Sequence, residues 1–391
     1  MSEKHACPAC NGSDLTTIYE LDAIPVQSCI ILDTKEEAVN FPRHGLKLKF
    51  CDGCGLVFNA IFDLELVDYA STTEESQHFS GTFNRFAVQL ASEVADTYDL
   101  KGKRTVEIGC GKGEFLQELA KQTGTLGLGI DPGFIPERLP GADGQEITFQ
   151  REYFDPGTVN VSPNCVVCRH TLEHIPEVGK FMGDIAKIVG DDKDCKLFFE
   201  TPDVRRVLEE GAFWDIYFEH CSYFTLGSHA RAFRHAGFDT TKLYLAYDDQ
   251  YIIHYGEPTT GAAPLENEDD LDAVRALAAA FPAKVAEIRK YWTDFVRSRH
   301  QAGKRVAIWG GGSKGVSFLT TNGLENEVEQ VIDINPHKQG KYLPGTGHLV
   351  SGPDTLVAAP PDTVIVMNPI YLPEIGRDLE KLGLHPELVA V

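Results

Sequence analysis

The chain has 391 residues, with 36 Lys and Arg against 58 Asp and Glu, a formal charge of −22. That length fits two or three domains, and 42% hydrophobic against 24% charged residues excludes a chain dominated by disorder. A strongly acidic chain with no run of Lys or Arg excludes a nucleic-acid backbone as partner, and no apolar stretch approaches the roughly 20 residues that span a bilayer. The N-terminal residues show no apolar leader. The expectation is therefore a cytoplasmic protein without membrane contact, in which paired cysteines hold metal before they form disulfides.

Cys7 and Cys10 form one Cys-x-x-Cys knuckle, and Cys51 and Cys54 form a second. Each knuckle points two thiolates into one tetrahedron, so the four predict a structural zinc site with no position open for a catalytic water. A redox Cys-x-x-Cys is usually single and precedes a helix, a context absent here. Residues 1–70, with short apolar runs and no long helical pattern, read as a small four-cysteine zinc-binding head.

A strand–helix alternation follows over residues 71–256. Phe86, Leu90, Val94 and Tyr98 mark one face of a helix. Apolar runs at 105–108, 126–131, 164–170 and 196–203 read as buried strands of a parallel sheet with crossover helices. Cys165 and Cys168 lie in one such run, three residues apart, and so point to opposite faces. They read as core cysteines. Residues 257–272, rich in Pro, Gly and acid, read as a linker into a long helix that Pro282 kinks or divides. Strands at 305–309, 328–335 and 362–368 then predict a second Rossmann-like unit, so residues 257–391 read as a C-terminal domain. The fold class expected for the whole is α/β.

The first strand of the middle region ends at Glu107, followed by Gly109, Gly111 and Gly113 and then a helical pattern. Glycines permit a tight turn and close approach of a ligand. Asp131 ends the next strand, where a carboxylate can accept from both hydroxyls of a ribose. The NAD spacing Gly-x-Gly-x-x-Gly fails, because Glu114 and Phe115 follow Gly113. An NAD-type oxidoreductase and a purely structural turn remain as alternatives. Glu-x-Gly-x-Gly-x-Gly with a downstream acid resembles the class I S-adenosylmethionine-dependent methyltransferases. That resemblance implies S-adenosylmethionine as cofactor, with Glu107, Gly109, Gly111 and Gly113 around its methionyl part and Asp131 on its ribose. It also implies Arg169, His170 and Thr171 near the amino-acid end.

Two segments lie where substrate should sit, beyond the carboxyl ends of the strands: 169–176, with His174, and 214–224, with Tyr217, Glu219 and His220. His220 is a candidate base, since imidazole titrates near pH 6.5, and Tyr217 and Glu219 can bond a sugar or orient the ring. The alternative is an aromatic core with satisfied histidines. The order of zinc head, methyltransferase middle, Tyr-x-Glu-His segment and second Rossmann-like unit resembles the sugar C-methyltransferases of deoxysugar biosynthesis. Tyr69, the run 76–79 and Asp333, Asn335 and Lys338 share in that resemblance. It implies a nucleotide-linked 4-ketosugar as the small-molecule substrate, usually a thymidine diphosphate (dTDP) sugar. It further implies His220 as base, with Tyr217, Glu219, His174 and Tyr69 beside the sugar. Methylation of a carbon or oxygen on a non-sugar molecule remains the alternative. The turn Gly310–Gly315 exposes backbone N–H groups at a helix start, and its Lys314 is expected to meet the substrate diphosphate. A monomer or weak homo-oligomer is expected.

Overall fold

In the computed structural model of the chain, residues 3–70, 73–139 and 146–391 are described. The head is an antiparallel sheet of β1 (Leu15–Pro25), β2 (Arg43–Cys51) and β3 (Val57–Asn59). A short helix, α1 (Lys35–Val39), lies between the first two strands, started by a capping box of Thr34 and Glu37. The knuckle of Cys51 and Cys54 is the turn between β2 and β3, closed by the Cys51 and Gly55 amides. A fourth strand, β9 (Ser222–Tyr223), pairs antiparallel with β3. The segment that carries His220 is thus stitched to the head. The expected boundary after residue 70 falls beside residues 71 and 72, which lie outside the described residues.

The middle sheet has five parallel strands, β4 (Arg104–Ile108), β5 (Leu126–Ile130), β6 (Ile147–Gln150), β7 (Cys165–Arg169) and β8 (Lys196–Pro202). An antiparallel hairpin, β10 (Phe238–Ala246) and β11 (Tyr251–Pro258), extends it to the order β10-β11-β8-β7-β4-β5-β6. Helices cover both faces, which is why the central strands are continuous apolar runs. Cys165 and Val167 pack under α2 (Gly81–Tyr98) and α3 (Glu114–Thr123). Val166 and Cys168 pack on the other face with α4 (Val178–Val189) and α6 (Leu226–His235). The two cysteines therefore lie on opposite faces, as their spacing predicts. A short helix, α5 (Val204–Glu210), follows β8.

The linker is pinned to the middle sheet. Asp239 accepts from the amides of Thr260 at 2.7 Å and Ala262 at 3.0 Å, and Arg234 pairs with buried Glu268. The long helix α7 (Leu271–Gln301) is one element running through Pro282. Its buried face joins one core that also holds Ile18 and Tyr19 of the head, Val207 of α5 and Ile308 of the last sheet. That sheet is wholly parallel: β12 (Val306–Trp309), β13 (Gln330–Ile332), β14 (Val350–Ser351), β15 (Thr363–Val366) and β16 (Glu387–Ala390), in the order β14-β13-β12-β15-β16. Helices α8 (Ser313–Asn322) and α9 (Leu372–Lys381) accompany it. Among the described residues no helix is long and apolar enough to cross a membrane.

Candidate active site

A cavity of about 660 Å³ opens where the three sheets meet. Its wall takes Tyr69 from the end of the head, Gly111 and His220 from the middle region, and Lys314 and Asn335 from the last. That volume suits a small-molecule site.

One end is the glycine turn between β4 and α3. The Gly109 amide bonds the Ile130 carbonyl at 2.8 Å, and a Cβ at Gly109 would stand 1.9 Å from the Thr171 hydroxyl oxygen. A Cβ at Gly113 would strike the Phe149 ring at 2.7 Å. At Gly111, with φ +56°, a Cβ would meet only Glu75, at 3.7 Å, so this part of the turn is open to a ligand. Asp131 accepts from the Gly111 amide at 2.9 Å on one oxygen and the Gly133 amide at 2.7 Å on the other. Each oxygen keeps acceptor capacity for a hydroxyl. Burial raises the Asp131 pKa against those two amides.

Glu107 is 2% exposed, and its Oε2 has no hydrogen-bond partner among the described residues. Burial pushes its pKa up to about 8, with Arg169 opposing the rise. A buried carboxyl oxygen without a partner, beside an open glycine turn, fits the ammonium of the cofactor that the sequence resemblance implies, because an unpaired buried acceptor is costly and a bound cation would favour the ionised form. Arg169 donates from Nε to Glu200 at 2.5 Å and lies 4.0 Å over the Phe115 ring. His170 sits at φ +46°, left-handed for a non-glycine residue. Its Nε2 is 3.2 Å from Glu200 and its Nδ1 3.6 Å from Glu173. Burial alone would lower the His170 pKa, but the two carboxylates outweigh it and hold it at about 9. His170 is therefore an imidazolium at neutral pH. Glu200 is correspondingly held down at about 2, by Arg169 and His170 against its burial.

The other end gathers the expected catalytic side chains. The His220 ring lies 4.7 Å from those of His174 and Tyr217 and 6.0 Å from that of Tyr223. Burial, and then His174, push the His220 pKa well below 6.5, with Asp215 opposing. Tyr69 donates to the Glu219 carbonyl at 3.2 Å and stands 3.2 Å from His174 Nδ1. The Glu219 carboxylate accepts both the amide, at 2.9 Å, and the hydroxyl of Ser28, while its Oε2 is buried without a hydrogen-bond partner among the described residues. Tyr217 donates to Asp215 at 3.0 Å. Lys314 reaches the same Asp215 oxygen at 2.6 Å, and Arg206 holds the other.

All the residues singled out in the sequence at this end thus share one cavity wall. Three partners escaped sequence reasoning: Asp215, Arg206 and Ser28. Asp215 stands two residues before Tyr217, a signal that was available. Ser28 is 191 residues from the carboxylate it holds, and no local pattern marks it.

The four head cysteines cluster with all sulfurs within 4.8 Å of one another, Cys7 3.6 Å from Cys54 and Cys10 3.6 Å from Cys51. Four thiolates about 2.3 Å from a tetrahedral zinc stand close to this spacing, so the donor set fits the metal.

Residues 80–243 match a family model described as a methyltransferase domain, and residues 238–384 match one described as a C-methyltransferase C-terminal domain. With a glycine-turn Rossmann-like sheet behind them, these matches define an S-adenosylmethionine-dependent methyltransferase. The chain is 27% identical over 304 residues to the C-methyltransferase NovU of Streptomyces niveus, covering 70% of this chain and 68% of that protein. Its C-terminal part and this relative make it similar to S-adenosylmethionine-dependent C-methyltransferases. Among solved structures it is similar to the Burkholderia thailandensis 1,6-didemethyltoxoflavin-N1-methyltransferase bound to its substrate and S-adenosylhomocysteine. The TM-score is 0.36 and the identity 14%, covering 44% of this chain and 78% of that one. It is also similar to the magnesium protoporphyrin IX methyltransferase of Synechocystis PCC 6803, with TM-score 0.36 and identity 15%, covering 48% of this chain and 90% of that one.

Proposed function

We propose that this C-methyltransferase acts on a nucleotide-linked 4-ketosugar, with a dTDP sugar the favoured class, and methylates the carbon beside the ketone. The observation that carries the reading is the position of His220, held neutral by its surroundings, in the same cavity as the cofactor turn. A hydrogen beside a ketone is acidic because the electron pair left behind spreads onto oxygen, so a neutral base and an oxyanion donor are what the reaction needs. His220 takes the hydrogen as a proton, which leaves an enolate carbon able to accept a methyl group. S-adenosylmethionine, when bound, supplies that methyl group as an electrophile on sulfur.

Glu107 would hold the cofactor ammonium, Asp131 the ribose hydroxyls, and the Arg169 and His170 cations the amino-acid end. Gly109, Gly111 and Gly113 let the backbone come close. Tyr69, His174, Tyr217 and Glu219 would line the sugar side. Cys7, Cys10, Cys51 and Cys54 would hold a closed zinc site that orders the head and takes no part in the chemistry.

The test is incubation with a dTDP-4-keto-6-deoxyhexose in deuterated water, with S-adenosylhomocysteine in place of the cofactor. The expected result is deuterium entering at the carbon beside the ketone. No exchange above the buffer rate, with methyl transfer found on a non-sugar acceptor instead, would overturn the reading.

A further inference from the structure

Enolate formation needs a donor for the oxygen as well as a base for the hydrogen, and the phenols nearest His220 have none to spare. The Tyr217 hydroxyl gives its only proton to Asp215 at 3.0 Å. Tyr223 gives its proton to the Tyr217 carbonyl at 3.0 Å, and Tyr69 gives its own to the Glu219 carbonyl at 3.2 Å. Lys314 differs. Its ammonium carries three N–H groups, and Asp215 is its one partner among the described residues, at 2.6 Å. Two N–H groups remain, on a side chain that lines the cavity.

The position is fixed by a shared atom. Lys314 Nζ and the Tyr217 hydroxyl both bond Asp215 Oδ1, and the Tyr217 ring is 4.7 Å from that of His220. Asp215 is itself steadied by Arg206, whose other arm pairs with the more exposed Glu210 at 2.7 Å. We propose that Lys314 holds the substrate's keto oxygen and stabilises the charge that develops there as His220 removes the neighbouring hydrogen. The ammonium donates a hydrogen bond and keeps its proton. This role rests on the ketosugar reading and differs from the diphosphate contact expected from sequence. Burial lowers the Lys314 pKa, and Asp215 opposes the fall. A more acidic ammonium is a better donor to an enolate oxygen. The diphosphate is better served by Lys338, whose Nζ lies 3.2 Å from where a Gly312 Cβ would stand, at the glycine turn itself.

Lys314→Met, Lys314→Arg and the double variant Lys314→Met/Asp215→Asn, which leaves no carboxylate unpaired, are compared with the wild-type chain. The probe is a dTDP-4-keto-6-deoxyhexose in deuterated water with S-adenosylhomocysteine. Both Lys314→Met variants are expected to lose exchange at saturating sugar by about 10²–10³-fold, with KM moving only a few-fold and S-adenosylhomocysteine affinity retained. Lys314→Arg recovers part of the rate. A rise in KM with the saturated rate intact would overturn the proposal and return Lys314 to the diphosphate. A wild-type chain that shows no exchange overturns the ketosugar reading, and this role with it.

Discussion

Two phenol rings and a second imidazole crowd His220, and that crowding disfavours its charged form. The free enzyme therefore holds the base form below the usual imidazole range, and the acid limb of kcat/KM is predicted to lie below pH 6.5. His220→Ala is expected to lose about 10²–10⁴-fold in turnover while binding cofactor normally, and His220→Asn should not restore it, since an amide cannot take the proton. A profile that falls at or above pH 6.5 in a chain with wild-type stability would contradict this. His170 obeys the opposite sign. Its pKa of about 9 exceeds the unfolded value near 6.5, so its contribution to stability is full below pH 6.5 and is lost as pH rises through about 9. In His170→Gln the midpoint of thermal unfolding should fall less steeply between those two pH values than in the wild type. Asp131→Ala should weaken S-adenosylmethionine by about 1–3 kcal/mol, read by calorimetry, through the lost hydroxyl bonds and the loosened Gly111 amide. Residue types alone marked His220, Tyr217 and Asp131 as chemistry-bearing. Sequence could not show that the Glu219 carboxylate faces Ser28, because side-chain direction depends on a partner 191 residues away in the chain.

Buried parallel strands were legible as elements because helices on both faces demand unbroken apolar runs. The strands that escaped notice lack that signature: β6 is only partly buried, and β9 has two residues. The hairpin of β10 and β11 closes through Tyr247, Asp248 and Asp249, all at positive φ, without the Asn-Gly or Asp-Gly pair that usually announces such a turn. Pro282 does not divide the helix, since α7 continues past it, its buried face from Val274 to Val296 held against the shared core. Packing constrains the glycine turn tightly. Gly109→Ala would combine positive φ with a Cβ 1.9 Å from the Thr171 hydroxyl oxygen. The steric part should cost about 1–3 kcal/mol and displace the turn enough to abolish cofactor binding. Gly102→Ala isolates the backbone part, since φ there is +67° and nothing lies within 4 Å of the added carbon. Denaturant unfolding of both variants should show the larger loss at Gly109. Equal losses would mean that contact with Thr171 does not matter.

Across the whole molecule, one cavity depends on three sheets at once. The order of knuckles, glycine turn, Tyr-x-Glu-His segment and second Rossmann-like unit is legible, because each part has its own local spacing. The latches between parts are not, because they pair isolated polar residues far apart in the chain. Gln250 and Asn368 exchange two amide hydrogen bonds, at 2.8 and 3.1 Å, and Glu74 reaches both Arg138 and Asn335. The head is part of this architecture, since β3 pairs with β9 just after His220. Metal analysis should therefore find about one zinc per chain. Chelation should lower the unfolding temperature and the turnover together while S-adenosylmethionine still binds, and a fully active metal-free chain would contradict the zinc reading. The central claim, methylation of an enolate carbon, is tested most directly by carbon NMR of the product formed from a dTDP-4-keto-6-deoxyhexose and S-adenosylmethionine labelled with carbon-13 in the methyl group. The account predicts one labelled methyl resonance in the aliphatic range, coupled to the sugar carbon beside the ketone. A labelled resonance in the methoxy range, coupled to no sugar carbon, would contradict it.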